Sequence, residues 1–269
     1  MSEKIKVGFI GAGNMGSAII RGIAKSSLAE NIELYAYNPS IEKVNALSDC
    51  KVKALLSEKE VVKKCKYVFL AIKPQKFDAV LPLIKDAVTE ETVFISIAAG
   101  ITSSYIQEQT KQYAKVILAM PNTPLLLGEG ATALAYESPV TAEEFSIVKQ
   151  IFDSCGITAE VTPEQMKSVI AINGSSPAFI YLFAKGFFDY AKSIGISEES
   201  ATVLFSKTLI GSAKMITDSG YSIEELIKQV SSPGGTTLAG LDAFYKADFT
   251  DIIQNACEKC TNRAYELSK

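Results

Sequence analysis

The sequence predicts an α/β protein in two parts: a doubly wound parallel sheet over residues 1–161 and an all-helical domain over residues 162–269. Three observations predict this fold class. Apolar strand-like runs alternate with helix-period segments up to residue 161, which is typical of a parallel sheet with helices on both faces. Strand patterns disappear from Thr162 onward. A chain of 269 residues with 48% hydrophobic side chains is also large enough to form two cores.

Seven apolar runs are predicted to be strands, and the segments between several of them have helical periodicity. A glycine-rich turn joins the first strand to a helix that carries Ile19, Ile20 and Ile23. The second part is helical in period and is interrupted at NGSSP, SIGIS, TDSGYS and SSPGGTT. Strands are predicted at residues 5–10, 32–37, 67–71, 93–99, 131–136 and 157–161, and one more strand begins at residue 115 and runs into a loop that ends at residue 124. Helices are predicted at residues 41–47, 76–88 and 142–156.

Charge and hydropathy exclude several classes of function. The formal net charge is −3 and the pI is about 5.3, whereas nucleic-acid-binding proteins normally have a clustered basic excess. No run approaches the roughly 20 apolar residues of a membrane span, since the most apolar stretch contains Lys185 and Gly186. No signal-peptide pattern precedes the first strand. We therefore expect a cytoplasmic protein that acts on a small molecule, without a nucleic-acid or membrane partner.

The chain contains five cysteines and no histidine. An odd, scattered set of cysteines does not form a disulfide framework. Cys257 and Cys260 have CxxC spacing, but no second pair accompanies them, so we expect no metal site. Without histidine, any proton transfer must come from hydroxyls, carboxylates, lysines or water.

A dinucleotide-binding motif lies at the first strand-to-helix turn. The sequence GAGNMG at residues 11–16 fits GxGxxG in the position that the fingerprint requires. The first glycine permits the turn, the second lets a pyrophosphate approach the backbone, and the third lets helix and strand pack closely. The sequence therefore predicts nucleotide binding by a Rossmann-type domain.

The residues after the second strand favour NADPH, with NADH possible. An NAD-specific protein would have Asp or Glu there to hold the ribose hydroxyls, but this chain has Asn38, Pro39 and Ser40. Asn38 and Ser40 can donate hydrogen bonds to a 2′-phosphate, and no carboxylate repels it. The same residues are also consistent with a simple helix start, with proline in the first turn.

Two segments of small residues follow later strands, AIKP at 71–74 and SIAAG at 96–100. They lie at the carboxyl ends of strands, where open α/β sheets bind ligands. Small side chains there would let the nicotinamide half lie close to the backbone. Lys73 is equally consistent with a solvated loop lysine.

The segment SSPGGTT at 231–237 precedes an amphipathic helix. Gly234, Gly235, Thr236 and Thr237 would present unpaired amides at the start of that helix, where the orphan N–H groups and the helix dipole attract anions. A ligand carboxylate or phosphate could bind there. A plain connection between two helices is the alternative, since Pro, Gly, Ser and Thr are common in such turns.

Together these motifs resemble one family, pyrroline-5-carboxylate reductase. GFIGAGNMG, AIKP, SIAAGI, MPNTP, NGSSPAF and VSSPGGTTLAGLDAF occur in the family's order and spacing, and SPGGTT is the most specific of them. The resemblance implies reduction of the cyclic imine 1-pyrroline-5-carboxylate to L-proline by NAD(P)H, in proline biosynthesis. It also implies a Rossmann domain joined to a helical dimerisation domain, and a homodimer at least, with larger assemblies of dimers common.

The resemblance also implies roles for individual residues. Thr237 would be catalytic, its hydroxyl bonding the ring nitrogen, and the 120–124 loop would close over the site. One departure is Ser176, where the family commonly has the second glycine of Gly-Ser-Gly-Pro. The implied substrate contacts are Ser232, Gly234, Gly235, Thr236 and Thr237, and the implied cofactor contacts are Ile10, Gly11, Ala12, Gly13, Asn14, Met15, Gly16, Asn38, Ser40, Ala71, Ile72, Lys73, Pro74, Ile97, Ala98 and Ala99.

Two alternatives remain open. An oxidoreductase of the β-hydroxyacid dehydrogenase type also joins a GxGxMG Rossmann domain to helices, but it depends on a lysine soon after a glycine-rich turn. Here NGSSPAFIYLFAK contains no lysine before Lys185. A non-catalytic regulatory protein that binds NADPH would have lost the substrate turn, which is intact in this chain.

Overall fold

The computed structural model describes residues 4–268, which form two compact units. The first unit comprises residues 4–176 with 260–268, and the second comprises residues 177–259. The strands are β1 (Ile5–Ile10), β2 (Ile32–Tyr37), β3 (Lys53–Ala54), β4 (Tyr67–Leu70), β5 (Val93–Ser96), β6 (Lys115–Pro121), β7 (Gly130–Tyr136) and β8 (Gly156–Glu160). The helices are α1 (Asn14–Lys25), α2 (Ile41–Asn45), α3 (Glu58–Lys64), α4 (Phe77–Ile84), α5 (Ser103–Gln109), α6 (Ala142–Asp153), α7 (Val169–Ile172), α8 (Ser176–Ser193), α9 (Glu198–Asp218), α10 (Ile223–Gln229), α11 (Thr236–Lys246) and α12 (Phe249–Glu266).

One eight-stranded sheet organises the first unit, in the order β3-β2-β1-β4-β5-β6-β7-β8. Strand β1 pairs in parallel with both β2 and β4, and Val7 is in register with Leu34 and Tyr67. The chain order reverses at β1, as in doubly wound sheets. The predicted Rossmann-type fold is therefore confirmed.

Hydrophobic layers cover both faces of this sheet. Along β1, Phe9 belongs to one layer and Ile10 to the other, because successive strand side chains point to opposite faces. Phe9 stacks on Phe69 with ring centroids 4.5 Å apart, and both rings are fully buried. Helices α1 and α6 contribute to the first layer, and α3, α4 and α5 contribute to the second.

The sheet departs from the prediction of a fully parallel arrangement at β7, which pairs antiparallel with β6. The link between them contains only a 3₁₀ helix, Thr123–Leu127, and is too short for the crossover that parallel strands need.

Strand β3 was not predicted, because its two residues are both exposed and give no periodic signal. Met120 and Pro121 belong to β6 and are buried, so only the rest of the predicted 120–124 loop lies outside a strand.

The helix predicted at 76–88 is shorter than expected. It consists of α4 between two 3₁₀ turns, Pro74–Lys76 and Lys85–Ala87, and proline at position 82 removes one backbone donor from its interior.

The sheet ends at β8, close to the predicted domain boundary at 161. The first compact unit continues to Ser176, because Met166 and Val169 pack against its core.

Within the second unit, α9 and α10 start at serine caps. Ser222 forms a capping box with Glu225 at the start of α10, and Ser197 caps α9. Phe187 stacks on Phe205 with centroids 4.4 Å apart, whereas the side chain of Leu182 is 71% exposed.

Within residues 4–268, no helix combines the length and the hydrophobicity that a membrane crossing requires.

Candidate active site

The predicted cofactor contacts converge on one edge of the sheet. Strands β2, β1, β4 and β5 are consecutive neighbours and parallel, so their carboxyl ends lie side by side. The segment 10–16 begins with the last residue of β1, and the segments 38–40, 71–74 and 97–99 directly follow β2, β4 and β5. The structure therefore brings together at this edge the segments that the sequence pattern selected.

The glycine motif between β1 and α1 has three distinct local geometries. Gly11 has φ +103°, and a Cβ there would lie 2.4 Å from the carbonyl oxygen of Ala71. A Cβ on Gly16 would lie 2.7 Å from the carbonyl oxygen of Gly11. A Cβ on Gly13 would meet nothing within 4 Å. The turn and the close packing thus need Gly11 and Gly16, while Gly13 borders open space.

The start of α1 fits a dinucleotide pyrophosphate. Gly13 is the N-cap residue and contributes no side-chain cap, and the first turn contains no acidic residue. The amides at the start of a helix attract phosphate through their N–H groups and the helix dipole. The open space beside Gly13 leaves room for such a group. These residues could therefore hold the phosphates of a nicotinamide dinucleotide.

Asn38 and Ser40 follow β2, beside this loop. The Oδ1 atom of Asn38 accepts a hydrogen bond of 3.1 Å from the amide of Ala12, and its Nδ2 atom donates to the carbonyl oxygen of Ser40 at 3.0 Å. Ser40 is exposed and precedes α2 as its N-cap residue. The sequence alone did not indicate that Asn38 bonds to two backbone groups.

The segments after β4 and β5 form the other half of the edge. The amide of Ala71 donates to the carbonyl oxygen of Ile10 at 2.9 Å, which extends the sheet pairing into the phosphate loop. Lys73 is exposed and precedes a 3₁₀ turn. Ala98 is buried, whereas Ile97 and Ala99 are half-buried. The hydroxyl of Ser96 is also buried here and has no partner among the described residues.

The SSPGGTT turn of the second unit begins α11. Gly234 has φ +70°, and the amide of Gly235 donates to the carbonyl oxygen of Ser232 at 2.9 Å. Gly235 is the N-cap residue, without a side-chain cap, and no acidic residue occupies the first turn. Thr236 and Thr237 are exposed in that turn. This helix start therefore has the anion-attracting features that the sequence predicted, although the amide of Gly235 is already engaged within the turn.

Sequence reasoning did not select Asn173, which lies before α8. Its Nδ2 atom donates to the carbonyl oxygen of Met120 at 2.6 Å, and the residue is 9% exposed. Its only signal in the sequence was its place in the NGSSP turn.

Ser176, the departure from the family pattern, donates its hydroxyl to the carbonyl oxygen of Ile172 at 2.9 Å. It begins α8 without a positive φ, so this position does not need glycine.

Comparisons with known proteins cover both parts of the chain. A family model for pyrroline-5-carboxylate reductase dimerisation matches residues 163–267, and a model for NADP oxidoreductase, coenzyme F420-dependent, matches residues 6–100. The chain is 33% identical to pyrroline-5-carboxylate reductase of Escherichia coli over 265 residues, which cover 98% of each protein. The chain belongs to the pyrroline-5-carboxylate reductase family.

Other relatives of this reductase agree with that assignment. Pyrroline-5-carboxylate reductase of Arabidopsis thaliana is 32% identical over 269 residues, covering 100% of this chain and 97% of that protein. The crystal structure of Plasmodium falciparum pyrroline carboxylate reductase with NADP bound has a TM-score of 0.90 and 31% identity, and covers 100% of both chains. A 3-hydroxyisobutyrate dehydrogenase of Mycobacterium tuberculosis, at 12% identity and a TM-score of 0.55, shares the fold alone.

Proposed function

We propose that this reductase converts 1-pyrroline-5-carboxylate to L-proline with NADPH as the preferred reductant. The observation that carries the proposal is the start of α11, where Gly234 turns the chain and Thr236 and Thr237 present a helix N-terminus without a capping side chain. Such an end suits a substrate carboxylate. Full-length similarity to curated reductases of this name supports the assignment.

The reaction adds one hydride to the carbon of the C=N bond and one proton to the nitrogen. NADPH, when bound, supplies the hydride. We assign the substrate carboxylate to the turn formed by Ser232, Gly234, Gly235 and Thr236. Because the amide of Gly235 already donates to Ser232, the amides of Gly234 and Thr236 are the better donors to that carboxylate.

The Thr237 hydroxyl is assigned to the ring nitrogen. Electron density grows on the nitrogen as hydride reaches the adjacent carbon, so a hydroxyl aimed at it stabilises the transition state more than the ground state. The chain has no histidine, and we assign delivery of the proton to water or a hydroxyl relay.

The cofactor contacts are assigned to the loop from Ile10 to Gly16 and to the segments 71–74 and 97–99. Preference for NADPH over NADH is supported by the absence of a carboxylate at residues 37–40, where Asp or Glu would repel a 2′-phosphate. The NADP in the Plasmodium falciparum relative is consistent with this preference.

We also propose that the chain works as a homodimer at least. The family model over residues 163–267 is one for dimerisation, and several large apolar side chains of the second unit are exposed. Leu182 is 71% exposed, Leu204 65% and Val230 66%. Light scattering at working concentration should give a mass of two chains or more, and a mass of 29.0 kDa would contradict the proposal.

The reaction itself is tested with NADPH deuterated at its transferable hydrogen. We expect one deuterium in the proline product, on the ring carbon that adjoins nitrogen and carries no carboxylate. Deuterium elsewhere, or proline without deuterium, would contradict direct hydride transfer.

A further inference from the structure

Asn38 connects the phosphate loop to the end of the second strand. We propose that Asn38 is a positioning residue, which acts on cofactor binding through the backbone of Ala12 and not through contact with the 2′-phosphate. This inference rests on the proposed use of a nicotinamide dinucleotide by this chain.

Two consecutive amides of the phosphate loop are held by the end of β2. The amide of Gly11 donates to the carbonyl oxygen of Tyr37 at 2.8 Å, and the amide of Ala12 donates to Oδ1 of Asn38 at 3.1 Å. Ala12 is 3% exposed, so its amide has little access to water. Loss of the Asn38 side chain would leave this donor without its partner, and an unpaired buried donor is unfavourable.

The other side of Ala12 is also fixed. The hydroxyl of Ser17 donates to the carbonyl oxygen of Ala12 at 3.2 Å. That carbonyl and the N–H of Gly13 belong to one planar trans peptide and point in opposite directions. Holding Ala12 on both sides therefore fixes the direction of the Gly13 N–H, beside the open space where a Cβ would meet no atom within 4 Å.

The second contact of Asn38 extends the connection to α2. Its Nδ2 atom donates to the carbonyl oxygen of Ser40, the N-cap residue of α2, at 3.0 Å. An amide N–H needs an acceptor and a carbonyl needs a donor, so the two contacts together determine which end of the Asn38 side chain faces which loop. The phosphate loop and the start of α2 are joined through this one side chain.

Three variants separate positioning from direct contact. Asn38→Ala removes both contacts. Asn38→Asp keeps an acceptor for the Ala12 amide, loses the donor to the Ser40 carbonyl and adds a negative charge. Ser40→Ala is the matched comparison, because it removes a hydroxyl that we assign to the 2′-phosphate region.

Dissociation constants for NADPH and NADH are measured by fluorescence titration without substrate, and thermal unfolding of each variant shows that it is folded.

Positioning predicts that Asn38→Ala weakens NADPH and NADH binding by similar factors, about tenfold each, because the Ala12 amide loses its acceptor. Asn38→Asp should bind NADH within about threefold of the wild type and bind NADPH more weakly, since the carboxylate repels the 2′-phosphate. Ser40→Ala should weaken NADPH alone.

The inference is overturned if Asn38→Ala weakens NADPH alone, as Ser40→Ala should, or if it changes neither affinity. It is equally overturned if Asn38→Asp loses NADH as severely as Asn38→Ala does. A wild-type protein that binds neither cofactor would overturn the proposed function and this inference with it.

Discussion

The side-chain amide of Asn173 donates a hydrogen bond of 2.6 Å to the carbonyl oxygen of Met120, at the end of β6. Asn173 is nearly buried, and a Cβ on the following residue, Gly174, would lie 3.4 Å from the sulfur of Met120. The segment before α8 is therefore held against the sheet by one polar contact and by close packing. This contact joins residues 53 positions apart in the sequence.

Asn173→Ala should lower the free energy of unfolding by about 0.5–1.5 kcal/mol, because it removes the hydrogen bond from the Asn173 side chain to the carbonyl of Met120. Urea unfolding followed by circular dichroism measures the change. Asn45→Ala is the control, since Asn45 is exposed in α2 and should change stability by less than about 0.5 kcal/mol. Equal stability of the two variants would contradict a structural role for Asn173.

The two glycines Gly11 and Gly13 should respond differently to alanine. Gly11→Ala should destabilise the fold, because its φ is +103° and a Cβ would lie 2.4 Å from the carbonyl oxygen of Ala71. Gly13→Ala should leave the unfolding temperature unchanged and weaken NADPH binding, because its Cβ would occupy open space beside the phosphate loop. Undiminished NADPH affinity in Gly13→Ala would show that the cofactor does not approach the backbone there.

Thr237→Ala should lower kcat/KM for the imine by about 10²–10³-fold, the range seen when a hydrogen bond to developing charge is removed. Thr237→Ser keeps the hydroxyl and should recover most of that activity. Steady-state kinetics at saturating NADPH make the comparison. A loss in Thr237→Ala of less than about twofold would rule out a transition-state hydrogen bond from this residue.

Glu144 should make stability depend on pH. Burial alone would raise the pKa of Glu144, but hydrogen bonds from Lys115, the Thr141 amide and Lys66 hold it below its ordinary value of 4.5. Because the folded-state pKa is the lower one, the ionised carboxylate stabilises the fold above pH 4.5, and this stabilisation is lost as pH falls through the folded pKa.

Glu144→Gln should therefore lower the free energy of unfolding at pH 7 by about 1.5–3 kcal/mol, the range for hydrogen bonds to charged groups. The difference from the wild type should shrink as the pH is lowered below 4.5. Asp242→Asn, which breaks an exposed pair with Lys246, should change stability by less than about 1 kcal/mol. A Glu144→Gln difference that stays constant with pH would contradict the ion-pair explanation.

The sequence predicted most of the fold because periodicity and glycine placement are local properties. The ranges predicted for β1 and β2 match the structure at both ends, and the GxGxxG turn lies between β1 and α1. The antiparallel β7 was missed because strand direction depends on the length of the connection and not on side-chain pattern. Strand β3, with two exposed residues, owes its existence to pairing with β2, and pairing leaves no trace in its own sequence.

The candidate site was predictable in position but not in detail. Asn38 was selected for its capacity to donate hydrogen bonds, and only the fold shows that its side chain bonds to Ala12 and Ser40. Asn173 was missed because its partner, Met120, is distant in sequence. Side-chain partners of this kind depend on tertiary structure, whereas motif spacing does not.

The proposed reaction is measured as NADPH consumption when purified protein is mixed with 1-pyrroline-5-carboxylate, with NADH assayed in parallel and the product identified as proline. We predict stoichiometric formation of L-proline with NADPH, and slower turnover with NADH. Folded protein that binds NADPH but consumes neither cofactor would contradict the proposed reaction. It would favour a six-membered cyclic imine as the substrate first, and the non-catalytic regulatory alternative second.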